Sequence, residues 1–492
     1  MFISGFFQRI FIRDRNMAER ETIAAIATGL VDSGIGIIRI SGREAVEIGD
    51  RVFRSPSGKK VLQKLESHRF YYGYVVEYKE QKEDQESDEI IDEVMVVAMR
   101  APRSFTGEDT VEIQCHGGVF VMKKILGAVL SAGAGMAEPG EFTKRAFLNG
   151  RIDLTKAEAV MDMIQSQNEF SLRSSMKQLR GGLMEKIREL RSKILHENAF
   201  IEAALDDPEN FSLEEYGEGL KEKLKVILQE IENLLQTAND GRLMKEGIRT
   251  VIVGKPNAGK SSFMNFLVGE ERAIVTEVAG TTRDVLRESV RLGDICFHIT
   301  DTAGIRETED VVEKIGVDRA RSCVEDADLV LYVVDGSVCL DENDRKIISV
   351  LKDKQFIVLL NKSDLENVVT GSDLQDFISE NLPGGERRNI VKTSAKEGDG
   401  LEEFLETVKS LLFQGEIKQS NEVVITSVRH KEALQEAYHS LILVEKSVQE
   451  GMPEDFYTID LMNAFSALGK IIGEDVEDDL VEEIFSRFCI GK

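Results

Sequence analysis

Apolar residues recur along this chain with two different periods, and the change of period marks its organisation. Between residues 17 and 137, "GIGIIRISG" (34 to 42), "YYGYVVEY" (71 to 78), "EVMVVAMR" (93 to 100) and "TVEIQCHGG" (110 to 118) predict strands separated by turn residues, with one helical stretch among them. That is an α/β or α+β pattern. From Pro139 the spacing becomes helical. In "LKEKLKVILQEIENLLQTA", Leu220, Leu224, Ile227, Leu228, Ile231, Leu234 and Leu235 fall on one face and leave the charges to water, and "KAEAVMDMIQSQ" repeats the texture. Strands and loops return near Gly247 and last until about residue 412, after which "KEALQEAYHSLILVEKSV" and "EDVEDDLVEEIFSRF" resume helix. A helical domain interrupted by a complete inserted domain, whose ends must lie close together, is the expectation. The expected boundaries are 17–137 for an N-terminal domain, 138–246 and 413–492 for the two parts of the helical domain, and 247–412 for the insertion, with 1–16 a disordered extension.

Composition narrows the class. At 492 residues and 55.0 kDa the chain exceeds one core, and no run approaches the eighteen or so apolar residues of a membrane span, so no membrane partner is expected. The five cysteines, Cys115, Cys296, Cys323, Cys339 and Cys489, lack C-x-x-C spacing, which argues against a disulfide framework or zinc site and for a reducing, cytoplasmic setting. A net charge of −26 argues against a broad grip on nucleic-acid backbone, so a basic partner is expected to share any such contact. The opening "MFISGFFQRIFIRDRN" is basic and aromatic, but Gln8 and Arg9 interrupt its apolar run as they would not in a secretory leader.

The inserted segment carries the chemistry. "GKPNAGKS" (254 to 261) follows the apolar "TVIV" and precedes the helix-like "SFMNFLVG", the strand, loop and helix order of a phosphate-binding loop. Asn257, Ala258 and Gly259 offer backbone donors, Lys260 reaches the β- and γ-phosphates, and the Ser261 hydroxyl is a Mg²⁺ ligand, with Ser262 beside it. "AGTTRD" (279 to 284) supplies Thr282 as a second Mg²⁺ ligand, and "DTAG" places Asp301 near the metal and Gly304 near the γ-phosphate, with Thr302 and Ala303 between. "NKSD" brings Asn361, Lys362 and Asp364, whose carboxylate matches guanine N1–H and N2–H and finds no such donors on adenine; Ser394, Ala395 and Lys396 of "TSAK" fall where the guanine O6 contact belongs. GTP, not ATP, is expected. The residue after "DTAG" is Ile305, which cannot orient water as glutamine does in Ras-like enzymes, and the nearby carboxylates Glu307, Glu309, Asp310 and Glu313 are not ranked by charge alone. The ending "CIGK" resembles a prenylation box only poorly, because Gly491 is not aliphatic and Lys492 is outside the usual terminal set.

Together "GKPNAGKSS", "AGTTRDV", "DTAGIRE", "FTGEDTVE" with "HGG", "PGEFTKRAFLNGRIDL" and the terminal "CIGK" resemble one family, the tRNA-modification GTPase MnmE, also called TrmE, from about Glu21 to Lys492. The resemblance implies a multidomain α/β plus α chain: an α/β folate-binding domain, a central helical domain and an inserted Ras-like GTPase with a mostly parallel sheet. It implies a homodimer in which K⁺ replaces an arginine finger, held by Asn257, Thr276, Val278 and Thr281, with Glu277, Ala279 and Gly280 completing the nucleotide-binding loop and Glu313 orienting water. It further implies 5-formyltetrahydrofolate or a related folate bound by Arg39, Glu112, Arg151 and Lys492, and Cys489 near that pocket in a role the sequence does not fix. Cys115 and His116 are not read as a catalytic pair, since neighbours on a strand face opposite sides. The implied activity is addition of an aminomethyl or carboxymethylaminomethyl group to C5 of the wobble uridine of certain tRNAs with the flavoprotein MnmG. A ribosome-assembly GTPase is the alternative, although no basic RNA-binding module is visible; a lipid-anchored signalling GTPase would need a processed tail and a smaller chain.

Overall fold

A computed structural model of the chain describes residues 22–78, 89–166, 168–210, 216–269, 274–275, 287–301, 324–352, 354–382, 388–413, 423–474, 476, 478–488 and 491. It divides into two compact units. One comprises Met1–Met161, Leu179–Ile187 and Gly469–Lys492, the other Asp162–Gln178 and Arg188–Leu468.

The first unit is built on a seven-stranded sheet of β1 (Ile23–Ile26), β2 (Ser33–Ser41), β3 (Phe53–Arg54), β4 (Phe70–Val76), β5 (Ile90–Met99), β6 (Thr110–Gly117) and β7 (Gly135–Met136), in the order β3-β4-β5-β6-β2-β1-β7. Only β1 and β7 run parallel, so of the two classes that the sequence left open this sheet is α+β. Two helices, Ala45–Val52 and Val119–Ser131, pack on it where one was expected. The second is so rich in apolar residues that its helical period is blurred. Strand alternation sends Ile38, Ile40, Val111, Ile113 and Cys115 into the core with Met122 and Ile125, and therefore turns Arg39 and Glu112 to the opposite face. Cys115 is buried and His116 exposed, as neighbours on a strand must be. Within the same unit the helices Glu141–Leu148 and Asp478–Ser486 meet: Phe147 packs on Phe485, and Lys144 Nζ donates to Glu482 Oε1 at 3.2 Å.

In the second unit β8 (Ile248–Val253), β9 (Ile274–Val275), β10 (Arg287–Leu292), β11 (Ile295–Asp301), β12 (Leu329–Asp335), β13 (Phe356–Asn361) and β14 (Asn389–Lys392) form a sheet ordered β14-β13-β12-β8-β11-β10-β9. The five strands from β14 to β11 are parallel; β10 and β9 are antiparallel. Their apolar runs are buried on both faces, as parallel strands covered by helices require. The first strand in sequence, β8, lies between β12 and β11, so the chain leaves it on either side and opens a crevice at its carboxyl end.

The same unit holds the greater part of four long helices, Gly182–Ile187 and Gly469–Ile472 at the ends of two of them belonging to the first unit. Lys193 pairs with Glu230 and Lys223 with Glu197, so the helices Gly182–Asp206 and Tyr216–Glu246 run antiparallel. Ile425 N donates to Thr237 Oγ1, while Gly217 lies against Val448, so Val428–Gln449 is antiparallel to Tyr216–Glu246 in turn. Asp455–Ile472 closes the bundle through Arg191, whose guanidinium stacks 3.9 Å from the Phe465 ring centroid. Leu220, Leu224, Ile227, Leu228, Ile231 and Leu234 are buried as their spacing requires, and Leu235 is half-buried.

Candidate functional site

The loop between β8 and the helix Lys260–Gly269 starts at the carboxyl end of β8 and so sits at the crevice, together with the N-terminus of that helix. Lys260 Nζ donates to Gly254 O at 2.9 Å and Lys255 O at 2.8 Å, which holds the ammonium across the loop. Asn257 is exposed at φ 65°, while Ser261 and Ser262 are exposed on the first helical turn. Gly259 has φ 98°, and a Cβ there would lie 2.1 Å from Asn361 Nδ2, so only glycine allows this approach.

Asn361 accounts for that contact. Its side chain, 2% exposed, donates through Nδ2 to Ala258 O at 3.0 Å and accepts at Oδ1 from Ala395 N at 3.2 Å. One buried amide thus joins the phosphate loop to the loop after β14. Ser394 Oγ donates to Asp364 Oδ1 at 2.8 Å and accepts from Glu397 N, which fixes the exposed Asp364 carboxylate at the mouth. Lys362, at φ 64°, donates to Asp335 Oδ2 at 2.6 Å. Burial pushes the Asp335 carboxyl up, but hydrogen bonds from Lys362 and Ser337 outweigh it and hold it below the usual carboxylate range. Lys396 is exposed beside Glu397 at 3.5 Å. Lys255 is bound by Asp341 and the buried Asp344, anchoring the start of the loop to the helix Glu342–Val350.

Backbone places Asp301 at the end of β11; its side chain is outside the described set. Thr276, Glu277, Val278, Ala279, Gly280, Thr281, Thr282, Thr302, Ala303, Gly304 and Glu313, with Ile305, Glu307, Glu309 and Asp310, also lie outside the described residues. Among the described residues, then, the "GKPNAGKS", "NKSD" and "TSAK" segments come together at the carboxyl edge of the sheet.

A second cluster lies on the other face of the first sheet, where Ile23, Ala25, Ala137 and Phe142 form a smaller core of their own. Arg39 and Glu112 face each other in register across β2 and β6, and Arg39 Nε donates to Glu112 Oε1 at 2.8 Å with the two side chains 17% and 18% exposed. The Arg39 guanidinium lies 5.5 Å from the Phe105 ring centroid and 5.6 Å from that of Phe142, and its Nη1 donates to Gly491 O at 3.3 Å. Gly491, at φ 92°, is pressed on β1 so closely that a Cβ would stand 2.3 Å from Ile26 O. Behind the pair, Arg145 bridges Glu108 and Glu141, and Ser41 Oγ donates to Glu108 Oε2 at 2.9 Å, fixing the "FTGED" loop. Arg151 is exposed just past the helix Glu141–Leu148 and, among the described residues, makes no hydrogen bond or ion pair with Arg39 or Glu112. Cys489 and Lys492 lie outside the described residues. Asp335, Phe105, Phe142, Arg145 and the Gly491 contact are additions that sequence reading did not make; for Arg145 the available signal was its i,i+4 spacing from Glu141.

Two family models match: "GTP-binding protein TrmE N-terminus" over residues 22–151 and "MnmE helical domain" over residues 154–489. The tRNA modification GTPase MnmE of Lachnoclostridium phytofermentans is 51% identical over 472 residues, covering 96% of this chain and 99% of that protein. This chain belongs to the tRNA modification GTPase MnmE family. The MnmE of Clostridioides difficile is 44% identical over the same shares of each chain. Among solved structures, Aquifex aeolicus Era bound to GDP and AlF₄⁻ is 29% identical over 40% of this chain and 67% of that one, with a TM-score of 0.27. The chain is thus a GTP hydrolase of the tRNA-modification class, with a TrmE N-terminal domain, an MnmE helical domain and a P-loop GTPase domain. Among its described residues no helix is long and apolar enough to cross a membrane.

Proposed function

We propose that this chain is a potassium-dependent GTPase which, as a homodimer working with MnmG, adds an aminomethyl or carboxymethylaminomethyl group to C5 of the wobble uridine of certain tRNAs, drawing its one-carbon unit from a formyl-tetrahydrofolate. Family membership over nearly the whole chain is the observation that carries this reading. The domain organisation that goes with it is an N-terminal domain at 17–137, a helical domain at 138–246 and 413–492, and the GTPase at 247–412.

Within the GTPase, the loop N–H groups and Lys260 bind the phosphates, and Asp364, fixed by Ser394, reads guanine. Mg²⁺ would be held by Ser261 and Thr282, and K⁺ by Asn257, Thr276, Val278 and Thr281; these cations supply positive charge to the phosphates. The exposed Ser261 hydroxyl on the first helical turn and the outward Asn257 amide fit such roles in donor chemistry and access. Glu313 orients the attacking water, the work that Ile305 cannot do. Arg39, Glu112, Arg151 and Lys492 bind the folate, where a guanidinium between two aromatic rings suits a carboxylated, ring-bearing ligand. Cys489 belongs with that pocket.

The test is reconstitution. Purified chain, MnmG, GTP, folate and an unmodified substrate tRNA are combined, and the wobble nucleoside is examined by mass spectrometry. The modified uridine forms with the wild-type chain and fails with Lys260→Ala; an unchanged uridine with the wild-type chain contradicts the reading.

A further inference from the structure

The helical bundle carries an exposed apolar stripe that none of the functions above uses. On the helix Asp455–Ile472, Tyr457, Leu461, Ala464 and Leu468 are buried, while Phe456 is 50%, Ile459 61% and Met462 38% exposed at i, i+3 and i+6. Met452, in the turn before that helix, is 39% exposed. Gly182–Asp206 and Val428–Gln449 are both antiparallel to Tyr216–Glu246, so Asp206 and Gln449 lie at one end of the bundle; Asp455–Ile472 starts there, meets Arg191 at Phe465, and so has Leu205, 47% exposed, at its Met452 end. Scattered apolar side chains on a surface need no explanation, but a contiguous group does.

This is the end of the bundle remote from the GTPase sheet. The helix Tyr216–Glu246 enters β8 after Gly247, and its 31 residues span about 46 Å, so its first turn and the adjoining turns lie at the far end. Exposed carboxylates surround the stripe there: Glu202, Asp206, Asp207, Glu209, Glu450 and Asp455. Among the described residues at this end, Lys446 is paired with Glu450, Lys223 with Glu197 and Lys225 with Glu222, and together with Lys221 these cations are outnumbered by the carboxylates. A nucleic acid would be repelled by this rim, and so would a second copy of the same face. We propose that the stripe of Leu205, Met452, Phe456, Ile459 and Met462 is a docking surface for a protein partner whose contact face sets lysines and arginines around an apolar centre. The rim orients and speeds encounter, and the apolar stripe supplies the lasting contact.

Resting on the reading that the chain works with MnmG, the probe is purified MnmG, titrated into the full-length chain and into two variants, Phe456→Ser with Ile459→Ser, and Asp206→Lys with Asp455→Lys. All these positions are exposed and far from the GTPase, so GTP turnover should match wild type, and an unchanged helical circular-dichroism spectrum and melting temperature report an intact bundle. The first variant should raise Kd at least tenfold, and the second should weaken binding most at low salt and flatten its salt dependence. Wild-type Kd in both variants would overturn the proposal. So would a variant that binds MnmG normally but has altered tRNA binding or self-association, which would assign the surface to RNA or to a second copy. If the wild-type chain itself does not bind MnmG, the partner reading falls and this proposal with it, an outcome distinct from equal binding by all three proteins.

Discussion

Replacing Asp328 by asparagine would show how strongly the GTPase sheet is tied to the long helix that enters it. The Asp328 carboxylate, 10% exposed at the start of β12, accepts from Arg242 Nη2 at 2.8 Å and from Arg249 Nε and backbone N at 3.0 Å. Arg242 belongs to the helix Tyr216–Glu246 and Arg249 to β8, so one carboxylate joins three elements. Burial pushes its pKa up, but the hydrogen bonds from Arg249 and Arg242 outweigh burial and hold it below the usual range. The part-buried Arg242 bond contributes about 1.5 kcal/mol, at the low end for a bond to a charged group. The Arg249 pair, half-exposed and screened by water, adds about 0.5 kcal/mol. Asp328→Asn should therefore destabilise by about 2 kcal/mol. The assay is urea unfolding followed by release of a fluorescent guanine nucleotide, which reports the GTPase domain and not the whole chain. A depressed carboxylate stabilises above its unfolded pKa, so the gap between wild type and variant should be the same near pH 7 and pH 5 and close only as pH falls below about 3.8 through the folded pKa. A gap below about 0.5 kcal/mol, within the scatter of surface substitutions, would refute the reasoning. Closure between pH 7 and pH 5 would refute the assignment to Asp328.

Two further outcomes follow from the sites. Asp364→Asn should lower GTP affinity at least a hundredfold, about 3 kcal/mol for two hydrogen bonds to a charged group, and raise affinity for xanthosine triphosphate, whose base presents a carbonyl at the 2-position; competition binding measures both. Gly491→Ala places a Cβ against Ile26 O and should release the tail from β1, seen by mass spectrometry as faster trimming by carboxypeptidase, while GTP turnover stays at the wild-type level.

Local pattern made much of this molecule legible. Helical spacing over 220 to 238 predicted the buried face of Tyr216–Glu246, and each of the four β-branched runs became a strand, because both signals depend on residues within a few positions of one another. The phosphate loop was legible for the same reason. Contacts closed by the fold were not: Arg39 meets Gly491 across 452 positions, and Lys362 finds Asp335 only because β12 and β13 are parallel neighbours. Asn361 belongs to the "NKSD" motif, yet its buried amide also holds the "GKPNAGKS" loop, a contact visible only because β8 and β13 end on the same edge of the sheet. The Glu108–Arg145–Glu141 network was missed because an arginine between acidic motifs looks in sequence like a surface cation.

The central proposal is that potassium takes the place that an arginine finger holds in related enzymes, while Glu313 takes that of their glutamine. GTP turnover by the purified chain in KCl and in NaCl at equal ionic strength, with Asn257→Ala alongside, tests it most directly. Strong stimulation by potassium that the variant loses is the predicted result. Equal rates in the two salts would contradict it.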